Sequence, residues 1–134
     1  MNALTLTGQV ALVTGAGHGI GRASALALAE AGALVVASDM DFARAAETEQ
    51  LIKDAGHKGV AAVADVTDEK AMAAVVDDIV RIHGRLDVVH ANAGVLMAGT
   101  ALTQTLDEWD KTFQVNVRGT FLTVRAVLPQ MIKQ

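Results

Sequence analysis

Short apolar runs and longer amphipathic stretches take turns along this chain. Val10-Ala11-Leu12-Val13, Ala33-Leu34-Val35-Val36-Ala37 and Gly59-Val60-Ala61-Ala62-Val63-Ala64 are runs of the first kind, and Leu86-Asp87-Val88-Val89-His90-Ala91 is a fourth with one charge. Nearly continuous apolar runs of this length predict strands covered on both faces. They are expected at about 9–14, 33–38, 59–64 and 86–91. Helices are expected between them: about 19–31 stopped by Gly32, and about 41–55 capped by Asp41 and stopped by Gly56. The first is alanine-rich, so it can lie close to a sheet. A third helix is expected to start at Thr67 as N-cap, with Asp68 and Glu69 in its first turn, and to end at Gly84. Its residues Met72, Val75, Val76, Ile79 and Ile82 recur at helical spacing as a stripe for packing on a sheet. Residues 95–105 read as loop. From about Leu106 the chain reads as helix with a break or bend, running to Pro129 and the end, and it carries Trp109, Phe113, Val117, Phe121, Val124 and Leu128 on an apolar stripe.

Strands alternating with helices predict a parallel sheet with right-handed crossovers and helices on both faces. One α/β domain over 1–134 is expected, with four strands in spatial order 3-2-1-4 and a ligand site at the carboxyl ends, where the order reverses between strands one and four.

Composition narrows the chemistry. The net charge of −4 leaves no basic stripe for a nucleic acid, and the absence of cysteine excludes disulfides, thiolate metal sites and cysteine nucleophiles. The four histidines, His18, His57, His83 and His90, lack metal-ligand spacing, so no metal is expected. No apolar stretch approaches the ~20 residues needed to span a bilayer, and the N-terminus lacks the pattern of a signal peptide. A soluble, cytoplasmic protein is the expectation.

Thr14–Gly21 reads T-G-A-G-H-G-I-G, between the first apolar run and the first helix. A strand turning on glycines into a helix makes an anion site: the first helical N–H groups lack intrahelical partners, and the helix dipole adds partial positive charge. The spacing here is G-x-x-x-G-x-G, on Gly15, Gly19 and Gly21. Asp39 ends the second run, close to the roughly 20-residue separation expected of an acid that binds a ribose hydroxyl. Strand, glycine turn, helix, strand and acid together form a dinucleotide-binding unit.

With Asp65-Val66 after the third strand, Asn92-Ala93-Gly94 after the fourth, and Asn116 within Phe-Gln-Val-Asn-Val-Arg-Gly, the chain resembles the N-terminal part of a short-chain dehydrogenase/reductase over essentially its whole length. The resemblance implies a Rossmann-like fold, truncated after about four strands, and a nicotinamide cofactor. It implies that Gly15, His18, Gly19, Ile20 and Gly21 line the pyrophosphate and neighbouring ribose, that Asp65 and Val66 meet adenine, and that Asn92, Ala93 and Gly94 pass beside the ribose. Asp39 implies NAD in preference to NADP, although His18 stands where NADP-preferring relatives often carry a basic residue. Asn116 matches the asparagine of the family's catalytic tetrad, which helps hold a proton-relay water.

The other tetrad members, a serine and a Tyr-x-x-x-Lys pair, lie C-terminal to this point in the family. The chain holds no tyrosine, and its only serines, Ser24 and Ser38, fall in the first helix and second strand. By itself it is expected to bind the cofactor and not to carry out alcohol or carbonyl chemistry. Two further readings stay open: an enzyme completed by another chain, and a non-catalytic dimerising scaffold. In each case the open edge of strand four and the apolar stripe on the last helix predict a homo-oligomer.

Overall fold

The computed structural model describes residues 5–134. Four parallel strands, β1 (Val10–Thr14), β2 (Leu34–Asp39), β3 (Gly59–Val63) and β4 (Val88–His90), form one sheet in the order β3-β2-β1-β4. The register pairs Val10 with Leu34 through Thr14 with Ser38, and Ala11 with Val88 through Val13 with His90. On the far side of β2, Val35 pairs with Gly59 and Asp39 with Val63. Thr14, Asp39, Val63 and His90 therefore finish along one edge.

Side-chain alternation along β1 divides the core. Val10 and Leu12, with Val36 of β2, join Met72, Val75, Val76 and Ile79 of α3 (Glu69–His83) and Val127 of α5 (Thr120–Lys133). Ala11 and Val13, with Val35 and Ala37, face Ala25 and Ala29 of α1 (Gly19–Glu30) and Ile52 of α2 (Phe42–Asp54). The second face is built mostly of alanine, so α1 approaches the sheet closely. Leu12, Ile52, Met72 and Leu86 have no exposed surface, and burying each contributes about 1.5–3 kcal/mol.

Helix ends follow the sequence in most places. Asp41 caps α2 by accepting from the Ala43 and Arg44 N–H groups, and Gly32, Gly56 and Gly84 take positive φ after α1, α2 and α3. The start of α3 differs from expectation. Asp68, not Thr67, is its N-cap, accepting from Lys70 and Ala71 N–H, while the Thr67 hydroxyl donates to Asp65 at 2.7 Å. A carboxylate outcompetes a hydroxyl as acceptor for helix N–H groups, and the neighbouring carboxylate claims the hydroxyl. Ile82 also departs from its expected stripe and is 60% exposed. Ten residues beyond Met72 it sits roughly 80° round the helix, in the last turn.

β4 is shorter than the run 86–91. Leu86 is buried and Asp87 Oδ2 accepts the Val10 N–H at 2.8 Å, but past His90 the ladder is abandoned because Asn92 and Ala93 N–H turn to the Thr14 hydroxyl. The Arg85 guanidinium, donating to Asp87, holds that carboxyl below its usual range. The final helical region is three segments: α4 (Leu106–Phe113), a π-helical turn (Gln114–Gly119) and α5. The expected break is this wide turn, since Pro129 sits inside α5 without ending it.

Candidate functional site

A cavity of about 900 Å³ opens at the carboxyl edge of the sheet, between β1 and β4 and over the end of β2. Its walls include Gly15, His18 and Ile20 from the glycine turn, Asp39 from β2, Asp65 and Val66 after β3, and Asn92, Ala93 and Gly94 after β4. Residues spread from 15 to 94 meet here because parallel strands all finish on one side. Gly19 and Gly21 belong to the same turn without lining the cavity, and Asn116 stands behind its β4 wall.

The turn is held by close approach. Gly15 has φ +62°, and a Cβ there would lie 2.8 Å from Ala93 Cα. A Cβ on Gly21 would lie 2.1 Å from the Gly15 carbonyl oxygen and 2.5 Å from Asn92 Nδ2. Only glycines let the first turn of α1 sit against the end of β1. Asn92 completes this packing: its Nδ2 donates to Thr14 O at 3.1 Å and Gly15 O at 3.3 Å.

The start of α1 is uncapped. Asp41, Asp68 and Thr105 cap their helices with side-chain oxygens, whereas His18, at the N-cap of α1, makes no such bond. Intrahelical bonding begins with Arg22 N–H to His18 O, so the Gly19, Ile20 and Gly21 amides have no acceptor among the described residues. Unpartnered amides at a helix start beside an open cavity fit an anionic group such as a pyrophosphate.

Asp39 is 7% exposed and accepts two backbone donors, Gly17 N–H at 2.9 Å on Oδ2 and Asp41 N–H at 3.0 Å on Oδ1. Each oxygen keeps a lone pair for a ligand hydroxyl. Asp41 stands beside it, with Arg44 Nε 3.5 Å from Asp41 Oδ2, and both line the cavity. After β3, Asp65 accepts Thr67 N–H at 2.9 Å, and that bond, with the Thr67 hydroxyl and the charge of Lys111, holds its carboxyl below the usual range.

Asn116 lies in the π-helical turn. Its Oδ1 accepts Val95 N–H at 2.8 Å and its Nδ2 donates to Val95 O at 2.9 Å, so the side chain clamps the segment after β4. Its own carbonyl accepts the Thr120 hydroxyl at 2.8 Å. Two residues of the turn matter beyond what the motif spacing implies, Gly17 and the hydroxyl of Thr14. A Cβ at Gly17 would sit 2.6 Å from both Asp39 Oδ2 and Arg44 Cβ. Thr14 is buried, and its position directly before the glycine turn was the available signal. Among the described residues no group of three or more His, Asp or Glu is placed to hold a metal ion, and no helix is long and apolar enough to cross a membrane.

The family model for short chain dehydrogenases matches residues 9–134. The chain belongs to that family. It is 44% identical over 127 residues to versicolorin reductase 1 of Aspergillus parasiticus, covering 94% of this chain and 48% of that protein. A short-chain type dehydrogenase/reductase from Mycobacterium marinum superposes with a TM-score of 0.95 at 32% identity, over 99% of this chain and 54% of the other. A metagenomic short-chain oxidoreductase solved in complex with NADP superposes at 0.88 with 39% identity, over 96% of this chain and 58% of the other. The chain thus spans about half the length of the curated relatives it matches. The resemblance seen in the sequence motifs is the family relationship, and the fold is the Rossmann-like sheet expected from them.

Proposed function

We propose that this chain is the NAD(H)-binding portion of a short-chain oxidoreductase whose complete form moves hydride between nicotinamide and an alcohol or carbonyl substrate. The observation that carries the reading is the single cavity in which an uncapped helix start, the buried Asp39 and the Asn92–Gly94 segment converge. Bound there, the dinucleotide would supply the hydride carrier. Gly15, His18, Gly19, Ile20 and Gly21 would face its pyrophosphate side, Asp39 the adenosine ribose, Asp65 and Val66 the adenine, and Ala93 and Gly94 the nicotinamide-side ribose. Asn116 would act through its grip on Val95 and help hold the proton-relay water of the complete site.

NAD is the preferred ligand in this reading. What supports this is that two carboxylates, Asp39 and Asp41, line the cavity and would repel a 2′-phosphate, while Arg44 lies 3.5 Å from Asp41. Calorimetric titration of the folded chain with NAD, and with NADP as control, tests this directly. Saturable binding that favours NAD is expected; no binding by a folded chain would overturn the reading in favour of a scaffold without cofactor. Asp39→Ala removes the acceptor of the Gly17 and Asp41 amides as well as the ribose partner. It is expected to weaken NAD by about 1–3 kcal/mol. Equal affinities would take Asp39 out of the role.

The chain on its own is expected to be catalytically inactive, cytoplasmic and self-associating. Trp109, Phe113, Val117, Phe121, Val124 and Leu128 are all exposed, from 39% at Val124 to 58% at Val117, and the Trp109 and Phe113 rings lie 4.9 Å apart. An apolar face of this length is an association surface, and the second edge of β4 is likewise unpaired among the described strands. Light scattering is expected to give a dimer or larger. Phe121→Glu, which places a charge mid-stripe, is expected to shift it toward monomer. A wild-type monomer at moderate concentration would sink this expectation.

A further inference from the structure

The glycine turn is gripped from behind by side chains that do not line the cavity. Thr48 of α2 is fully buried, and its hydroxyl donates to Ala16 O at 2.8 Å. The same hydroxyl accepts Arg22 Nε at 3.0 Å. Through an Nη, Arg22 reaches Gly17 O at 2.5 Å and Glu47 Oε2 at 2.7 Å. On the other side of the same two residues, Ala16 N–H donates to Ser38 O at 2.9 Å and Gly17 N–H to Asp39 Oδ2 at 2.9 Å. Every backbone polar group of Ala16 and Gly17 is therefore committed.

This has a directional consequence. In a trans peptide the N–H points opposite to the preceding C=O. Arg22, by holding Gly17 O, sets the His18 N–H on the side away from Arg22 and Glu47, and His18 is one of the residues of the turn that line the cavity. Released, the Gly17–His18 peptide could rotate about the Gly17 ψ, which no Cβ restricts. A carbonyl turned toward the cavity would then oppose a pyrophosphate.

We infer that Arg22 and Thr48 are positioning residues for the dinucleotide: a brace from α1 to α2 that fixes the glycine turn with its amides, and not its carbonyls, toward the phosphates. The inference rests on the cavity's being the dinucleotide site. It also gives α2 a part in binding beyond carrying Asp41 at its start, since Thr48 and Glu47 both belong to that helix.

The test is NAD affinity by calorimetry, with thermal melting on each variant. Thr48→Val keeps the shape and removes the hydroxyl, leaving Ala16 O and Arg22 Nε without their partner. It is expected to weaken NAD about tenfold, the scale of a lost hydrogen bond to a charged group. Thr48→Ser restores the hydroxyl and is expected to recover wild-type affinity, a rescue that packing alone does not predict. Arg22→Lys, which keeps the charge but cannot fork between Thr48, Gly17 and Glu47, is expected to match Thr48→Val. The losses should not add in the double variant, because both break one network. If Thr48→Val does not fold, the Arg22→Lys affinity decides. Wild-type binding of NAD with unchanged affinity in Thr48→Val and Arg22→Lys overturns the brace and leaves the site standing; a wild type that binds no dinucleotide overturns both.

Discussion

Gly21→Ala is expected to abolish dinucleotide binding and to lower stability by about 3 kcal/mol or more, at the upper end of what overpacking costs. The added methyl would sit 2.1 Å from the Gly15 carbonyl oxygen and 2.5 Å from Asn92 Nδ2. The first of these is backbone, so no rotamer change relieves it. Either α1 moves off the end of β1, or the Gly15 peptide turns. Gly15 has little freedom to turn, because its Cα already lies against Ala93. Moving α1 would displace the amides of Gly19 to Gly21 and loosen the Asn92 bonds to Thr14 and Gly15. Gly19→Ala is the matched control. It has φ +55° but no protein atom within 4 Å of a Cβ, so its cost to the stability of the unliganded chain is left-handed strain alone, about 1–2 kcal/mol. Thermal melting of the two variants separates clash from strain, and NAD titration of Gly21→Ala reads the effect on the site. A Gly21→Ala protein with wild-type melting and affinity would show that the turn is not packed as described.

Most of the architecture was legible because it rests on local signals. Strands covered on both faces leave unbroken apolar runs, glycines with positive φ close three helices, and the dinucleotide-binding pattern of the first βαβ unit carries the order β3-β2-β1-β4. The cavity was legible for a related reason. In a parallel sheet whatever directly follows each strand lands at one edge, so Gly15, Asp39, Asp65 and Asn92 could be named without knowing any distance. What escaped depends on contacts that no spacing encodes. Gly17 falls outside the spacing of Gly15, Gly19 and Gly21, yet it is where Asp39 and the Cβ of Arg44 press on the turn. Thr48 reads as one polar residue on a polar helix, and only the tertiary fold shows it buried against Ala16. Thr67 and Asp68 are adjacent capping types, and the choice between them was made by Asp65. The widened turn around Asn116 is a change of backbone hydrogen bonding, to which side-chain periodicity is almost blind.

Thr14→Val should produce the second large effect, and it links the fold to the site. Thr14 is 1% exposed, and its Oγ1 accepts two backbone donors from the segment after β4, Asn92 N–H at 3.0 Å and Ala93 N–H at 3.1 Å. Valine preserves the volume and offers no acceptor. Asn92 N–H keeps its bond to His90 O at 2.9 Å, but Ala93 N–H is stranded, at about 1–3 kcal/mol against a total stability of about 5–15 kcal/mol for a domain of this kind. The expected result is a denaturation midpoint well below wild type with an unchanged denaturant slope. NAD affinity should fall as well, because Asn92 to Gly94 form the cavity wall and this oxygen shares the work of holding them there with the Asn92 side chain and the Asn116 clamp on Val95. Thr14→Ser keeps the acceptor and should stay near wild type in both measurements. If valine and serine behaved alike, the hydroxyl would not be what ties β1 to the segment after β4. The short β4 would then need another explanation, since it is the Thr14 oxygen that draws these two amides out of the ladder.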